Sequence, residues 1–553
     1  MSTAGAVNVA RFLPAMAQRQ PEQLALRIPR GRTPDGRIRY LDLTFAQLDA
    51  ETDAWAHRLT QAGIARGTRV LLLVRPGLSL IALCFALFKI GAVPVVIDPG
   101  MGLRAFLRCV RHTKPRALVA IPQGIWVARL FRRAFQAVSI RLRVRAHEPL
   151  TLERTAPRPA AYPVAPTRAG ELAAILFTSG STGAPKGVCY EHGMFEAQVN
   201  LVRTAYGIEP GEVDLPMLPI FALFNPALGM TTVVPEMDPS RPAMVDPARI
   251  VQAIEQCGVT NSFGSPVLWR RIGDHCLHSG TTLPRIRRIL SAGAPVPPRL
   301  MADFRTIAPQ GTMHSPYGAT EALPVTTISD REVLEFAAGR TARGAGTCVG
   351  RPVPGVEVLV IGLTDEPVTA LGAARILPCG EIGEIIVRSG SSTLAYDALP
   401  EATAASKIPD TPRAWHRMGD TGYLDTDGYL WFCGRKAERV ETEAGPLFTD
   451  RCEPVFNQHS RVFRTALIGL GPAGRQRPAL VIEPAPGAWP RSTKARMVLA
   501  RELRELGRAC ATTERIRLFF FHRRLPVDVR HNAKIHRLTL ARHFATRTPI
   551  EIP

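Results

Sequence analysis

No Cys-x-x-Cys pair occurs in the 553 residues, whose ten cysteines are scattered. That scatter argues against a zinc ribbon and a disulfide framework, and the expected setting is reducing and cytoplasmic. Acidic residues are in short supply, 47 against 69 Lys and Arg, which leaves a net charge of +22. Such an excess draws a protein toward anionic lipid, an acidic partner or nucleic acid. Neither zinc-finger spacing nor an RNP-type aromatic string accompanies it, so no nucleic-acid partner is expected. An unbroken apolar span is also missing. The nearest approach, Leu78 to Ile97, is interrupted by Lys89, Gly91 and Pro94. It reads as a buried helix ending near Gly91 and a short strand from Val93 to Ile97, so no transmembrane segment is expected. The N-terminus lacks a basic stretch followed by an apolar one, and no signal peptide is expected.

What is present is a long chain of ordinary globular composition, 46% hydrophobic and 21% charged, too long for a single core. Strand, turn and helix patterns alternate, which predicts an α/β architecture with largely parallel sheets flanked by helices. A helix is expected from Thr44 to Ala62, with Phe45, Leu48, Trp55 and Leu59 on its core face. The Pro- and Ala-rich stretch from Glu148 to Arg168 reads as a surface linker. The apolar, proline-interrupted segment from Leu215 to Met230 suits a pocket wall better than a regular element.

The chemistry is expected around the stretch Phe177 to Gly187, FTSGSTGAPKG. A buried strand from Ala173 to Phe177 empties into a loop of Thr178, Ser179, Gly180, Ser181, Thr182 and Gly183. Its glycines let backbone N–H groups approach an anion, its hydroxyls add donors, and Lys186 brings a positive charge. The spacing is not that of a Walker A loop, because Lys186 is followed by Gly187 and not by a hydroxyl. Further on, Asp427-Gly428 between alternating apolar residues predicts two paired strands within Met418 to Arg435.

The whole undecapeptide resembles the phosphate loop of the adenylate-forming superfamily, which includes acyl-CoA synthetases, peptide-synthetase adenylation domains and luciferases. Three later stretches resemble its other signatures in the same order. Ser291-Ala292-Gly293-Ala294-Pro295 is similar to the loop on the adenine face. Tyr317-Gly318-Ala319-Thr320-Glu321 is similar to the segment whose aromatic packs on adenine, whose threonine reaches a phosphate and whose glutamate holds Mg2+. Asp420 and Arg435 match the pair that meets the ribose, and Lys534 in HNAKIHR matches the lysine that enters the site for adenylation. The resemblance implies a large N-terminal adenylation domain, residues 1–435, and a small mobile α+β C-terminal domain, residues 436–553. It further implies ATP and Mg2+ as cofactors, with Thr178, Glu321 and Lys534 catalytic.

Two departures narrow the reaction. The superfamily's gating histidine is absent, with Ala222, Phe224 and Asn225 in its region. The hinge position after Arg435 holds Ala437, and the glycine-rich RGxRIE segment that makes the thioester is missing. Within the superfamily the pattern resembles the β-lactone-forming branch of bacterial olefin biosynthesis. That implies activation of a long-chain 2-alkyl-3-hydroxy fatty acid as its acyl-adenylate and closure onto its own 3-hydroxyl. His192, His314 and His531 are alternative bases for the hydroxyl proton. The competing readings are a long-chain fatty acyl-CoA ligase, a fatty-acyl-AMP ligase, or a non-catalytic lipid-binding member. Expected partners are the hydroxy acid, other enzymes of the same route in an assembly, and an anionic membrane surface.

Overall fold

The computed structural model describes residues 5–145, 160–177, 185–238, 241–527 and 534–553. The phosphate-loop residues 178–184, and His531, lie outside the described residues, as does most of the Pro/Ala-rich linker.

A six-stranded sheet runs in the order Ile140–Arg143, Ala117–Ala120, Arg69–Leu73, Val93–Ile97, Leu172–Phe177, Gly187–Glu191. All its pairings are parallel except the last. Apolar helices cover its inner face. The helix Leu78–Ile90 is almost wholly buried and ends at Gly91, whose left-handed φ of 77° closes the last turn. Lys89, the charge inside that apolar run, is buried, with its ammonium 2.6 Å from Asp49 and also bonded to Asp53. Both carboxylates stand on the adjacent helix Phe45–Gln61, which begins with a capping box of Thr44 and Gln47. The charge is therefore a paired core residue.

Among the described residues a fourteen-stranded sheet forms the second layer. Its centre is parallel: Val213–Pro216, Asn261–Gly264, Arg288–Ser291 and Thr312–Ala319 lie side by side in that order. It then turns antiparallel through the hairpin of Thr312–Ala319 with Ala322–Ser329. Ligand sites of open parallel sheets form beyond the carboxyl ends of such strands, and here those ends carry Ser291 and Tyr317. The expected pair of strands before Arg435 is present as Trp415–Leu424 and Leu430–Arg435. Asp425 Oδ1 accepts the Asp427 and Tyr429 N–H groups across their turn.

Beyond Arg435 the chain builds a four-stranded mixed sheet, Val462–Leu470, Arg477–Pro484, Leu518–Phe521 and Ile550–Glu551, with its own apolar clusters. Among the described residues no strand of this sheet pairs with one before Arg435. No helix among them is long and apolar enough to cross a membrane.

Candidate active site

Of the residues singled out in the sequence, those that the structure describes come from three directions. The strand Leu172–Phe177 leads into residues 178–184, and the chain returns in the pairing of Phe177 with Gly187. A Cβ at Gly187 would sit 2.7 Å from the Phe177 ring, so the loop can only close with glycine there. Lys186, exposed at the end of the loop, stands 4.7 Å from the centre of the Tyr396 ring. Tyr396 in turn donates its hydroxyl to Glu321 Oε1 at 2.6 Å. The tyrosine thus links the loop lysine to the acidic tip of the second motif.

Glu321 lies between the strands Thr312–Ala319 and Ala322–Ser329, in a tight reversal. A Cβ at Gly318 would come within 2.5 Å of the Ala322 carbonyl oxygen, so this turn too requires glycine. Tyr190 donates to the Thr320 carbonyl, the Thr393 N–H donates to the Glu321 carbonyl at 2.8 Å, and Gln198 donates to the Leu323 carbonyl at 2.8 Å. Three outside donors therefore fix the backbone on either side of one carboxylate. Below it lies Lys407, buried and bonded to Thr393, whose ammonium burial pushes down to about 7.

The third direction is the strand pair before Arg435. Asp420 is buried and opposite Arg435 across the ladder. Its Oδ1 lies 2.7 Å from the Arg435 guanidinium, and its Oδ2 accepts the Tyr317 hydroxyl at 2.6 Å. Burial pushes the Asp420 carboxyl up, against the opposing charges of Arg435 and Lys534. The same aspartate, chiefly, holds the Arg435 guanidinium protonated. Lys534 is half-buried, and its charge acting on Asp420 shows that it faces this side of the large sheet. Gly293, with φ +96°, Ala294 and Pro295 form the loop beyond Arg288–Ser291, beside the strand that carries Tyr317 and Gly318.

Under this edge lies a narrow apolar cavity of about 50 Å³, walled by Phe221, Phe224, Phe263, Leu290 and Pro316. The segment from Leu215 to Met230, expected to be irregular, forms its wall as a 3-10 turn, Pro219–Leu223, and a single helical turn, Asn225–Leu228. Phe221 stacks on Phe263 with ring centres 3.8 Å apart. Across the same segment a second cavity of about 440 Å³ is lined by Leu80, Ile81, Met217 and Ala222 and rimmed by Arg75 and Asp238.

One polar group interrupts the first cavity. Asp214 accepts the Asn225 side-chain amide at 2.9 Å and that of Asn261 at 2.7 Å, and burial raises its carboxyl to about 6. Asn225 also donates to Thr232 at 2.8 Å. The residue standing near the usual gating position is thus turned inward, into the cavity floor. Of the three histidines, His192 is sealed between Val9 and Phe88, and burial lowers its imidazole to about 4. His314, beside Tyr206, is lowered to about 4 in the same way.

Fold and site together define an AMP-forming ligase: the chain belongs to the AMP-binding enzyme family, whose model matches residues 14–396. Over 546 residues it is 45% identical to the olefin beta-lactone synthetase of Xanthomonas campestris pv. campestris, covering 97% of both chains. It is equally close, 45% over 548 residues and 97% of both chains, to the olefin beta-lactone synthetase of Stenotrophomonas maltophilia. Among solved structures, the amide bond synthetase McbA from Marinactinospora thermotolerans superposes with a TM-score of 0.76 at 25% identity, over 97% of this chain and 99% of that one. O-succinylbenzoate Coenzyme A synthetase from Bacillus subtilis, in complex with AMP, has the same fold, with a TM-score of 0.74 at 20% identity over 98% and 99%.

Proposed function

We propose that this enzyme activates a long-chain 2-alkyl-3-hydroxy fatty acid with ATP and closes it to a β-lactone, releasing AMP and pyrophosphate. The observation that carries the reading is the 45% identity along 97% of the chain to two relatives named for that product. The cavity of about 440 Å³ beside Leu80, Ile81, Met217 and Ala222 agrees with a substrate that carries an alkyl chain.

In this reading residues 1–435 bind the nucleotide and the acid, and residues 436–553 bring Lys534. The substrate carboxylate attacks the α-phosphate of ATP and pyrophosphate departs, leaving the acyl-adenylate. The loop Thr178, Ser179, Gly180, Ser181, Thr182, Gly183 and Lys186 cradles the phosphates. Lys534 neutralises charge as it builds in the transition state, and Asp420 with Arg435 holds the ribose. Tyr317, Gly318 and Thr320 line the nucleotide, with Gly293, Ala294 and Pro295 on the adenine side. Glu321 suits a hard divalent cation. It is a carboxylate fixed through Oε1 by Tyr396, and among the described residues no cluster of three His, Cys, Asp or Glu competes with it. Held there by Glu321, Mg2+ would offset the charge of the phosphates.

In the second step the 3-hydroxyl oxygen attacks the acyl carbonyl, its proton passes to a base, and AMP leaves with the bonding pair. The ring closes without an external acceptor. Positioning of this kind offsets about 7–11 kcal/mol of barrier in favourable intramolecular cases. On this reading the reaction belongs in the cytoplasm, alongside the enzymes that supply the acid and consume the lactone. The test supplies a 3-hydroxy acid, ATP and Mg2+ without coenzyme A. A product lighter than the acid by one water is expected, whereas AMP release that requires coenzyme A and yields a thioester would overturn the reading in favour of an acyl-CoA ligase.

A further inference from the structure

The net charge is not spread evenly. Between Pro99 and Arg145 there are eleven Lys and Arg residues and no Asp or Glu. All eleven are exposed: Arg104, Arg108, Arg111, Lys114 and Arg116, then Arg129, Arg132, Arg133, Arg141, Arg143 and Arg145. A compositional preference for arginine would have left acids among them, as it does elsewhere in the chain.

The fold sets the arginines of two helices and an edge strand on one side of a sheet. The helices Leu103–Thr113 and Pro122–Leu130 pack on the same side of the six-stranded sheet, through Cys109, Val110 and Ala128 against Leu118 and Ala120. The second helix lies close to its strand, since a Cβ at Gly124 would come within 2.8 Å of Ala120 Cβ. The edge strand Ile140–Arg143 places Arg141 and Arg143 in register with Leu118 and Ala120, so both arginines point to the helix-bearing side. The other side of the sheet is the core.

Large apolar side chains share the face. Trp126 is 66% exposed, Leu130 60% and Leu103 52%. Trp126, Arg129 and Leu130 follow one another at helical spacing on the outward side, and Arg132 and Arg133 follow, exposed, in the turn after the helix. Leucines of this exposure gain nothing from water or from a nucleic-acid backbone. A bilayer interface rewards the whole set, because Trp and Leu enter the headgroup boundary while Arg meets anionic headgroups.

We infer that the face built by Leu103–Thr113, Pro122–Leu130 and Ile140–Arg143 docks on an anionic lipid bilayer. Through it the enzyme works at the surface where long-chain lipids reside. Each arginine within reach of the headgroups should strengthen partitioning about fivefold, the factor that ~1 kcal/mol per basic residue corresponds to.

The test uses the full chain and vesicles of phosphatidylcholine with or without phosphatidylglycerol. Sedimentation with the anionic vesicles only is expected, weakening as salt rises, together with a blue shift of the Trp126 emission. The double variant Trp126→Ala/Leu130→Ala should partition several-fold more weakly yet bind heparin like the parent. Arg129→Ala/Arg133→Ala should lose both, by about 25-fold for vesicles if the two charges act independently. ATP–pyrophosphate exchange with a soluble acid should be unchanged in both variants, which separates this surface from the proposed chemistry. Sedimentation with neither vesicle overturns the inference. So does an apolar double variant that partitions like the parent, which would mark a general polyanion site for RNA or an acidic protein.

Discussion

At the scale of single residues, the site depends on side chains that meet a partner belonging to another motif. Tyr317 and Arg435 both hold Asp420, and Tyr396 stands between Lys186 and Glu321. Lys534 differs from these, because it comes from the C-terminal part and acts on Asp420 through its charge. In the proposed mechanism such a lysine would stabilise the transition state without being needed to hold ATP in the ground state. Lys534→Ala should therefore lower acyl-adenylate formation by roughly 100- to 1000-fold, the loss typical of one transition-state donor, while the Kd for ATP changes little. Pyrophosphate exchange and calorimetric ATP binding measure the two quantities. Wild-type exchange in the variant would return Lys534 to an ordinary surface charge.

At the scale of elements, what was legible in the sequence was what is local. Glycines mark the two turns that admit nothing larger, at Gly187 and Gly318, and Asp427-Gly428 announces the strand pair that carries Asp420 and Arg435. The helix Phe45–Gln61 and the buried run Leu78–Ile90 follow from period and capping. Tyr396 could not be foreseen, because it lies in an irregular stretch 75 residues from its partner Glu321. The cluster of Asp214, Asn225 and Asn261 was hidden for the same reason: it exists only because parallel register sets Asn261 beside Asp214. This cluster has a measurable consequence. Burial lifts the Asp214 carboxyl to about 6, whereas in the unfolded chain it titrates near 4, about the ordinary value. Between those values the folded protein holds more protons than the unfolded one, so stability falls as pH rises from about 4 to 6 and levels off above. The fall attributable to this group is about 3 kcal/mol. Asp214→Asn should flatten that part of the profile when the urea midpoint is followed against pH. An identical slope in the variant would show that the carboxyl is already ionised throughout the window.

At the scale of the whole molecule, ion pairs tie down the segment that follows Arg435. Lys436 donates to the Thr364 carbonyl at 2.7 Å and to Glu384 at 3.1 Å, and Arg439 pairs with Asp365 at 3.2 Å. On the other side, Arg451 donates to the Gly344 carbonyl at 2.7 Å and Gln458 to that of Ala342 at 2.7 Å. The junction is Arg537. Its Nε and Nη2 grip both oxygens of Glu453 at 2.7 Å, and its Nη1 reaches Glu438 at 2.8 Å.

Arg537 lies three residues beyond Lys534, while Glu438 lies three beyond Arg435, so one guanidinium joins the segment bearing the proposed catalytic lysine to the segment leaving the large sheet. Burial raises the Glu438 and Asp450 carboxyls, the latter to about 7, and Arg537 is the main charge opposing that rise in both. Removing it leaves buried acids without their cation, a loss of about 3–5 kcal/mol for a buried pair broken on one side. Arg537→Ala should therefore lower adenylate formation at least tenfold and speed proteolysis between residues 436 and 448, with ATP affinity retained because the proposed nucleotide contacts do not include Arg537. Arg537→Lys keeps the charge but not the two-pronged grip, and should fall between the two. Timed proteolysis beside single-turnover adenylation gives both readouts. If Arg537→Ala turns over like the parent, the position of Lys534 is set by other contacts and the joint is only structural.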